Sequence, residues 1–354
     1  MKPIVGITMG EPAGIGPEIC YKALTVPKIY EVCRPIIFGD WNAMCDAVVF
    51  SKGVDNPNEF KLVKVPFDPD MDFDNLTYEF GEIAIYDFEN VDVSKLEYGV
   101  DSAMGGKAAG DYIKYAIELA LEGRIHATAT APISKPSFQM GGWGLKYPGH
   151  TEMFADLTNT RNYTMMLAHD NFRVVHVSTH VPLRKAVDLV KKDRVLNVIK
   201  LGQMACQLFG IEDPKVAVCG LNPHSGENGR MGHEEIDEII PAIEEAKALQ
   251  INVTGPVPAD TMWSKVRSGF YDIGVAMYHD QGHIPTKLLG FQYNSDGSYN
   301  SVQGINTTVG IPIIRVSVDH GTAYGKAGQG TATAASLHSA LITAAHLAKI
   351  KYDL

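Results

Sequence analysis

The 354-residue chain predicts an α/β fold with helices on both faces of mostly parallel sheet, and three observations carry that prediction. Short runs rich in β-branched residues alternate with longer segments of helical period. Most of the short runs are apolar throughout, which suits strands covered on both faces. The length, with 45% hydrophobic and 20% charged residues, fits a globular chain of two lobes rather than one.

Taken in order, the strands read as IVGIT (4–8), PIIFG (35–39), FKLVKV (60–65), IHATATA (125–131), RVVHVST (173–179), KVAVCG (215–220), DIGVAM (272–277) and PIIRVSV (312–318). Helices are expected between them. In DYIKYAIELALEG (111–123), Tyr112, Ile113, Ala116, Ile117 and Ala120 recur at helical spacing before Gly123. HEEIDEIIPAIEEAKAL (233–249) is acidic at its start, where the helix dipole favours negative charge. The alanine-rich TATAASLHSALITAAHLAKI (331–350) follows a glycine turn. Two stretches break the rhythm and read as irregular: the Asp- and Asn-rich segment 66–100, and FQYNSDGSYNSVQG (291–304).

A formal charge of −10 offers no basic field for a phosphate backbone, so no nucleic-acid partner is expected. The five cysteines (20, 33, 45, 206 and 219) are odd in number, scattered and without a CxxC pair, which points to reduced thiols in a cytoplasm. The start, MKPIVGITMGEP, has too short an apolar run for a signal peptide, and no segment reaches membrane-spanning length.

Three histidines each follow an apolar strand and precede turn chemistry: His180 in VVHVSTH, His224 in VAVCGLNPHSGENG and His279 in IGVAMYHDQGH. In open α/β sheets the ligand crevice lies beyond the carboxyl ends of strands, and three imidazoles there suit zinc or another divalent cation. Asp280 follows His279 and suits orientation of a ligating ring or proton transfer; Asp260 suits proton relay or a helix N-cap equally.

A second set favours anions. The Pro–Gly turn of KYPGHTEMF places His150 and Thr151 at an expected helix N-terminus. Lys287, Asn306 and Arg315 add a point charge, a neutral donor and a planar fork. The opening TMGEPAGIGPEIC is strand, glycine turn and helix, yet it does not match the G-x-G-x-x-G dinucleotide fingerprint.

The motifs GEPAGIGPE, APISK, PGHTE, STH, NPHSGE, HDQG, GIN and SVDHGTA, in this order across nearly the whole chain, resemble the 4-hydroxythreonine-4-phosphate dehydrogenase family. The resemblance implies an isocitrate/isopropylmalate dehydrogenase-like α/β/α fold, with two lobes around a central cleft, rather than a standard Rossmann domain. Residues 1–128 with 306–354 would form the first lobe. Residues 129–305 would form the second, carrying the metal histidines and the contacts of a homodimer with a shared active site. His180, His224 and His279 resemble the metal ligands, for zinc, magnesium or cobalt. His150, Thr151, Lys287, Asn306 and Arg315 resemble the substrate-binding residues. DHGTAYGKAGQG is similar to the turn that receives the adenosine end of NAD, here Gly321, Thr322, Gly325, Gly328 and Gly330, with NADP the other nicotinamide candidate.

The implied reaction is NAD- and metal-dependent oxidation of 4-phosphohydroxy-L-threonine to 2-amino-3-oxo-4-phosphohydroxybutanoate. Loss of CO₂ then gives 3-amino-2-oxopropyl phosphate, on the route to pyridoxal 5'-phosphate. Asp260, Asp280 and Lys287 are the catalytic candidates. Two departures bear on the substrate: an insertion over 291–302, and His283 after HDQG, reminiscent of paralogues that oxidise 4-phospho-threonate or 4-phospho-erythronate. A three-histidine zinc hydrolase is the alternative from another class.

Overall fold

The computed structural model describes residues 1–51, 60–293, 295, 299–302 and 304–354, with backbone alone for 292, 293 and 299–302. Its contacts divide the chain into two units, Met1–Arg161 with Ile311–Leu354, and Asn162–Gly310.

The first unit holds β1 (Ile4–Thr8), α1 (Gly16–Leu24), α2 (Pro27–Val32), β2 (Arg34–Gly39), α3 (Trp41–Phe50), β3 (Lys61–Pro66), β4 (Glu82–Asp87), α4 (Ala103–Leu121), β5 (Ala127–Thr130), α5 (Lys135–Met140) and α6 (His150–Leu157). After the chain returns it adds β14 (Arg315–Val318) and α12 (Ala335–Tyr352). Its strands run in the order β3-β4-β2-β1-β5-β14 with every pairing parallel. β1 is buried at all five positions, as a strand covered on both faces must be. The sequence reading ended this lobe at 128; the unit runs on to Arg161 because β5 is hydrogen-bonded between β1 and β14, and α5 and α6 pack on α4.

The irregular reading of 66–100 is corrected inside this sheet. The segment contains β4, which pairs with β3 on one side and β2 on the other. Ile83, Ile85 and Tyr86 of β4 are fully buried, and Tyr86 stacks on Tyr115 of α4 with ring centroids 5.4 Å apart. The aspartates around the strand mask it in composition. They serve its turns instead: Asp72 and Asp92 cap short 3₁₀ turns by accepting from Asp74 N and Ser94 N.

The second unit holds β6 (Thr164–His169), β7 (Phe172–His176), α7 (Leu183–Asp188), α8 (Lys192–Leu208), β8 (Val216–Cys219), α9 (Ile240–Ala248), β9 (Val253–Val257), α10 (Ala259–Arg267), β10 (Ile273–Ala276), α11 (His279–Gly290), β11 (Phe291–Tyr293), β12 (Tyr299–Val302) and β13 (Ile305–Val309). Its sheet runs β13-β6-β7-β10-β8-β9. β13, β6 and β7 pair antiparallel, whereas β7, β10, β8 and β9 pair parallel. The β6–β7 hairpin turns at Asp170, whose positive φ of 50° the short polar side chain tolerates. The expected helix over 233–249 opens as a π-type turn (Glu235–Ile239), and Pro241 falls in the first turn of α9, where a missing N–H costs least.

The irregular segment 291–304 contains β11 and β12, which pair antiparallel. Residues 294 and 296–298 of the insertion, and residue 303 after it, lie outside the described residues. Among the described residues no helix is long and apolar enough to cross a membrane. The five cysteines are free thiols.

Candidate active site

Four parallel neighbours in the second unit, β7-β10-β8-β9, point their carboxyl ends to one sheet edge. His180 follows β7, His279 follows β10, His224 follows β8 and Asp260 follows β9, so all four leave from that edge. Adjacent strands lie about 4.8 Å apart. In keeping with that spacing, the His180 and His279 ring centroids are 5.5 Å apart.

His279 opens α11 with its ring held from two sides. Its Nδ1 is 2.7 Å from Asp280 Oδ1, which favours the tautomer protonated at Nδ1 and leaves Nε2 as a lone-pair donor. His283, one turn on, stacks on it at 3.6 Å and 11° while its own Nδ1 meets the His279 carbonyl at 3.0 Å. Burial and the neighbouring His279 lower the His283 pKa to about 4, so the stack involves a neutral ring. Behind it lies fully buried His176, with ring centroids 4.7 Å apart.

His224 is exposed and sits with Ser225 in the left-handed region (φ 51° and 54°), a conformation that non-glycine residues adopt at a cost of about 1–3 kcal/mol each. Two buried side chains hold the loops in place. Glu235 accepts from Leu221 N, Asn222 N and Asn222 Nδ2, fixing the start of the β8 turn. Gln281 accepts from Met277 N at 2.7 Å and donates to Gly220 O at 2.8 Å, tying the ends of β10 and β8 together. Gln281 is legible as the third letter of HDQG; nothing in the local sequence marks Glu235.

Among the described residues no group of three or more His, Cys, Asp or Glu side chains is placed to hold a metal ion. Imidazoles nonetheless suit a borderline divalent cation at two of the expected positions, since the rings of His180 and the Asp280-oriented His279 are neighbours at this edge. Asp260 is exposed in the first turn of α10; its N-cap is Pro258, so Asp260 does not cap that helix.

Lys287 lies two turns along α11 from His279, with its ammonium 4.3 Å from the Phe291 ring centroid. Asn306, on β13, donates to Met165 Sδ, while its buried Oδ1 meets no hydrogen-bond partner among the described residues.

The remaining candidates are in the first unit. Arg315, opening β14, is 3% exposed, donates to Thr130 Oγ1 at 3.1 Å and lies over the Phe154 ring. Burial lowers its pKa to about 10 and the Glu152 carboxylate acts against that shift, so Arg315 remains a cation at neutral pH. Burial, reinforced by Arg315, holds His150 well below the ordinary imidazole range, so the ring is neutral. Its Nε2 is buried without a hydrogen-bond partner among the described residues. Beside it, Thr151 is half-buried in the first turn of α6. A buried cation beside an unsatisfied imidazole nitrogen suits an anionic or hydroxylated ligand.

The glycines of 321–330 divide into two kinds. Gly328 and Gly330 have φ of 71° and 68°, so their backbone itself calls for glycine. Gly321 and Gly325 do not have positive φ, and a Cβ built on either meets no described atom within 4 Å. Neither conformation nor packing explains these two. Both leave room for the nicotinamide dinucleotide expected there, beside Thr322.

The family model for the pyridoxal phosphate biosynthetic protein PdxA matches residues 31–344. A D-threonate 4-phosphate dehydrogenase of Cupriavidus necator is 41% identical over 347 residues, covering 98% of this chain and 97% of the relative. A protein of Oceanobacillus iheyensis, provisionally given the same name, is 45% identical over 352 residues and 99% of both chains. The solved structure of a 4-hydroxythreonine-4-phosphate dehydrogenase from Burkholderia phymatum superposes with a TM-score of 0.81 at 40% identity, over 98% of both chains. The fold is therefore the mixed α/β fold of that solved dehydrogenase, built on a large, mostly parallel sheet as expected. These relatives also place the chain among dehydrogenases, displacing the hydrolase alternative.

Proposed function

The chain belongs to the pyridoxal phosphate biosynthetic protein PdxA family, and from that premise we propose that it oxidises the C3 hydroxyl of D-threonate 4-phosphate in a nicotinamide- and divalent-metal-dependent reaction. The observation that carries the reading is the meeting of His180 and the Asp280-oriented His279 at the carboxyl edge of β7 and β10. His224, on the strained turn after the next strand, is the proposed third ligand. When bound, the cation supplies a Lewis acid that lowers the pKa of the C3 alcohol, and the dinucleotide supplies the hydride acceptor.

The chain's own residues do the rest. Asp280 keeps the His279 proton on Nδ1. The exposed Asp260 carboxylate is the proposed acceptor of the hydroxyl proton, since Asp280 is already engaged. The substrate carries a phosphate and a carboxylate. Arg315, His150 and Thr151 offer an anion-binding set in the first unit, and Lys287 and Asn306 offer one in the second. Loss of hydride from C3 and of the hydroxyl proton gives a 3-oxo acid. That product breaks its C1–C2 bond to release CO₂, and the electron pair left at C2 takes up a proton from solvent to give dihydroxyacetone phosphate.

The name borne by the Burkholderia phymatum structure supports 4-phosphohydroxy-L-threonine as the second reading. NADH formation with each substrate, with and without a chelator, tests both. The expected outcome is preference for D-threonate 4-phosphate and loss of turnover on chelation, restored by zinc, cobalt or magnesium. Preference for the amino acid overturns the substrate, and indifference to the chelator overturns the metal.

A further inference from the structure

Helix α1 carries Glu18 and Lys22 one turn apart, and both point at the far end of the glycine-rich turn. Lys22 Nζ donates to Glu18 Oε1 at 2.8 Å, to Gly330 O at 2.9 Å and to Ala332 O at 3.0 Å, using all three of its donors. Glu18 Oε1 also accepts from Ala332 N at 2.7 Å. The two side chains are 12% and 0% exposed. A buried ion pair seldom adds net stability over apolar side chains of similar size, so stability is a poor reason for this one. What it does hold is the register of residues 330–332 against α1.

The near end is anchored as firmly. Ile15 N donates to Thr322 O at 3.1 Å, and Tyr324 OH donates to Asp101 Oδ1 at 2.6 Å. Asp101 is braced in turn by the hydroxyls of Ser134 and Ser137. Gly325 lies between the two anchors and Gly321 directly before the near one, both facing open space. We propose that Glu18, Lys22 and Asp101 are positioning residues for the dinucleotide: they clamp both ends of the 321–330 turn so that its glycine face stays open to the cofactor. The proposal rests on the reading of this turn as the cofactor site.

The deciding variant is the double replacement Glu18→Leu/Lys22→Met, which removes the clamp without leaving a buried charge unpaired. The full-length enzyme is assayed with NAD varied at saturating substrate, beside thermal unfolding. The expected result is a KM for NAD raised about tenfold or more, with kcat and substrate KM near wild type and little change in Tm. A folded double variant with unchanged KM for NAD overturns the proposal. If it does not fold, Asp101→Asn is read in the same way: a selective rise in KM for NAD supports the clamp and an unchanged value overturns it. Gly325→Val, run in parallel, separates the two claims. Should it raise KM for NAD while the clamp variants do not, the clamp alone fails. Should it bind NAD as wild type does, the cofactor reading fails and takes the clamp with it.

Discussion

His279 shows how much one side chain's chemistry depends on its immediate neighbours. The sequence places it after an apolar strand and beside a carboxylate, and the structure turns that adjacency into a 2.7 Å contact that selects a tautomer. Outer partners of ligating histidines commonly contribute 10–100-fold to metal affinity. Asp280→Ala is therefore expected to weaken zinc binding by about 10–100-fold while leaving the fold intact, because Asp280 is exposed. Equilibrium dialysis against a competing chelator checks this; wild-type affinity would show that Asp280 does not orient the ring. Arg315 illustrates the reverse dependence. Its apolar neighbours point to burial in the sequence, yet its contacts with Thr130 and Phe154 come from strand β5 and helix α6, far along the chain.

At the scale of elements, helix α4 is placed by what it lacks. A Cβ on Gly106 would lie 1.7 Å from Ser137 O, backbone that cannot swing aside as a flexible side chain can. The absent side chain lets α4 and α5 touch, and α5 begins at Ser134–Lys135, beside the Asp101 anchor. Gly106→Ala should therefore destabilise the protein by about 1–3 kcal/mol, despite alanine's better helix propensity. Urea unfolding decides: a gain in stability would mean that the helices part without cost. The loops after β8 and β10 depend on a similar long reach, through Glu235 and Gln281.

At the scale of the whole molecule, Glu11 couples the fold to pH. It is fully buried, and burial pushes its pKa from 4.5 up to about 7, with Asp101 adding a smaller push in the same direction. A raised folded-state pKa means that the native protein holds more protons than the unfolded chain between those values. Glu11 thus supports the fold fully below about pH 4.5, and that support is lost as pH rises through about 7. The full effect is about 3 kcal/mol, at 1.4 kcal/mol for each pH unit across the window. Glu11→Gln should remove this share of the slope, so that variant and wild type diverge as pH rises from 5 to 8 in denaturant titrations. Parallel curves would show that Glu11 ionises freely in the folded protein.

Alternation of apolar runs with helical periods was enough to read the α/β class and eight of the strands, because burial on both faces writes itself into consecutive residues. The candidate histidines, the anion-binding residues and the glycine turn were also visible, since each sits in a short motif. β4 was hidden, because the acidic turns around it dominate its window while its pairing is with strands elsewhere in the sheet. The partners of Lys22, Gln281 and Glu235 were hidden for a related reason: their contacts span separations of up to 310 residues, which no local window records. Local chemistry is carried by neighbours along the chain. Which of those chemistries meet is decided by strand order, and strand order exists only once the sheet has formed.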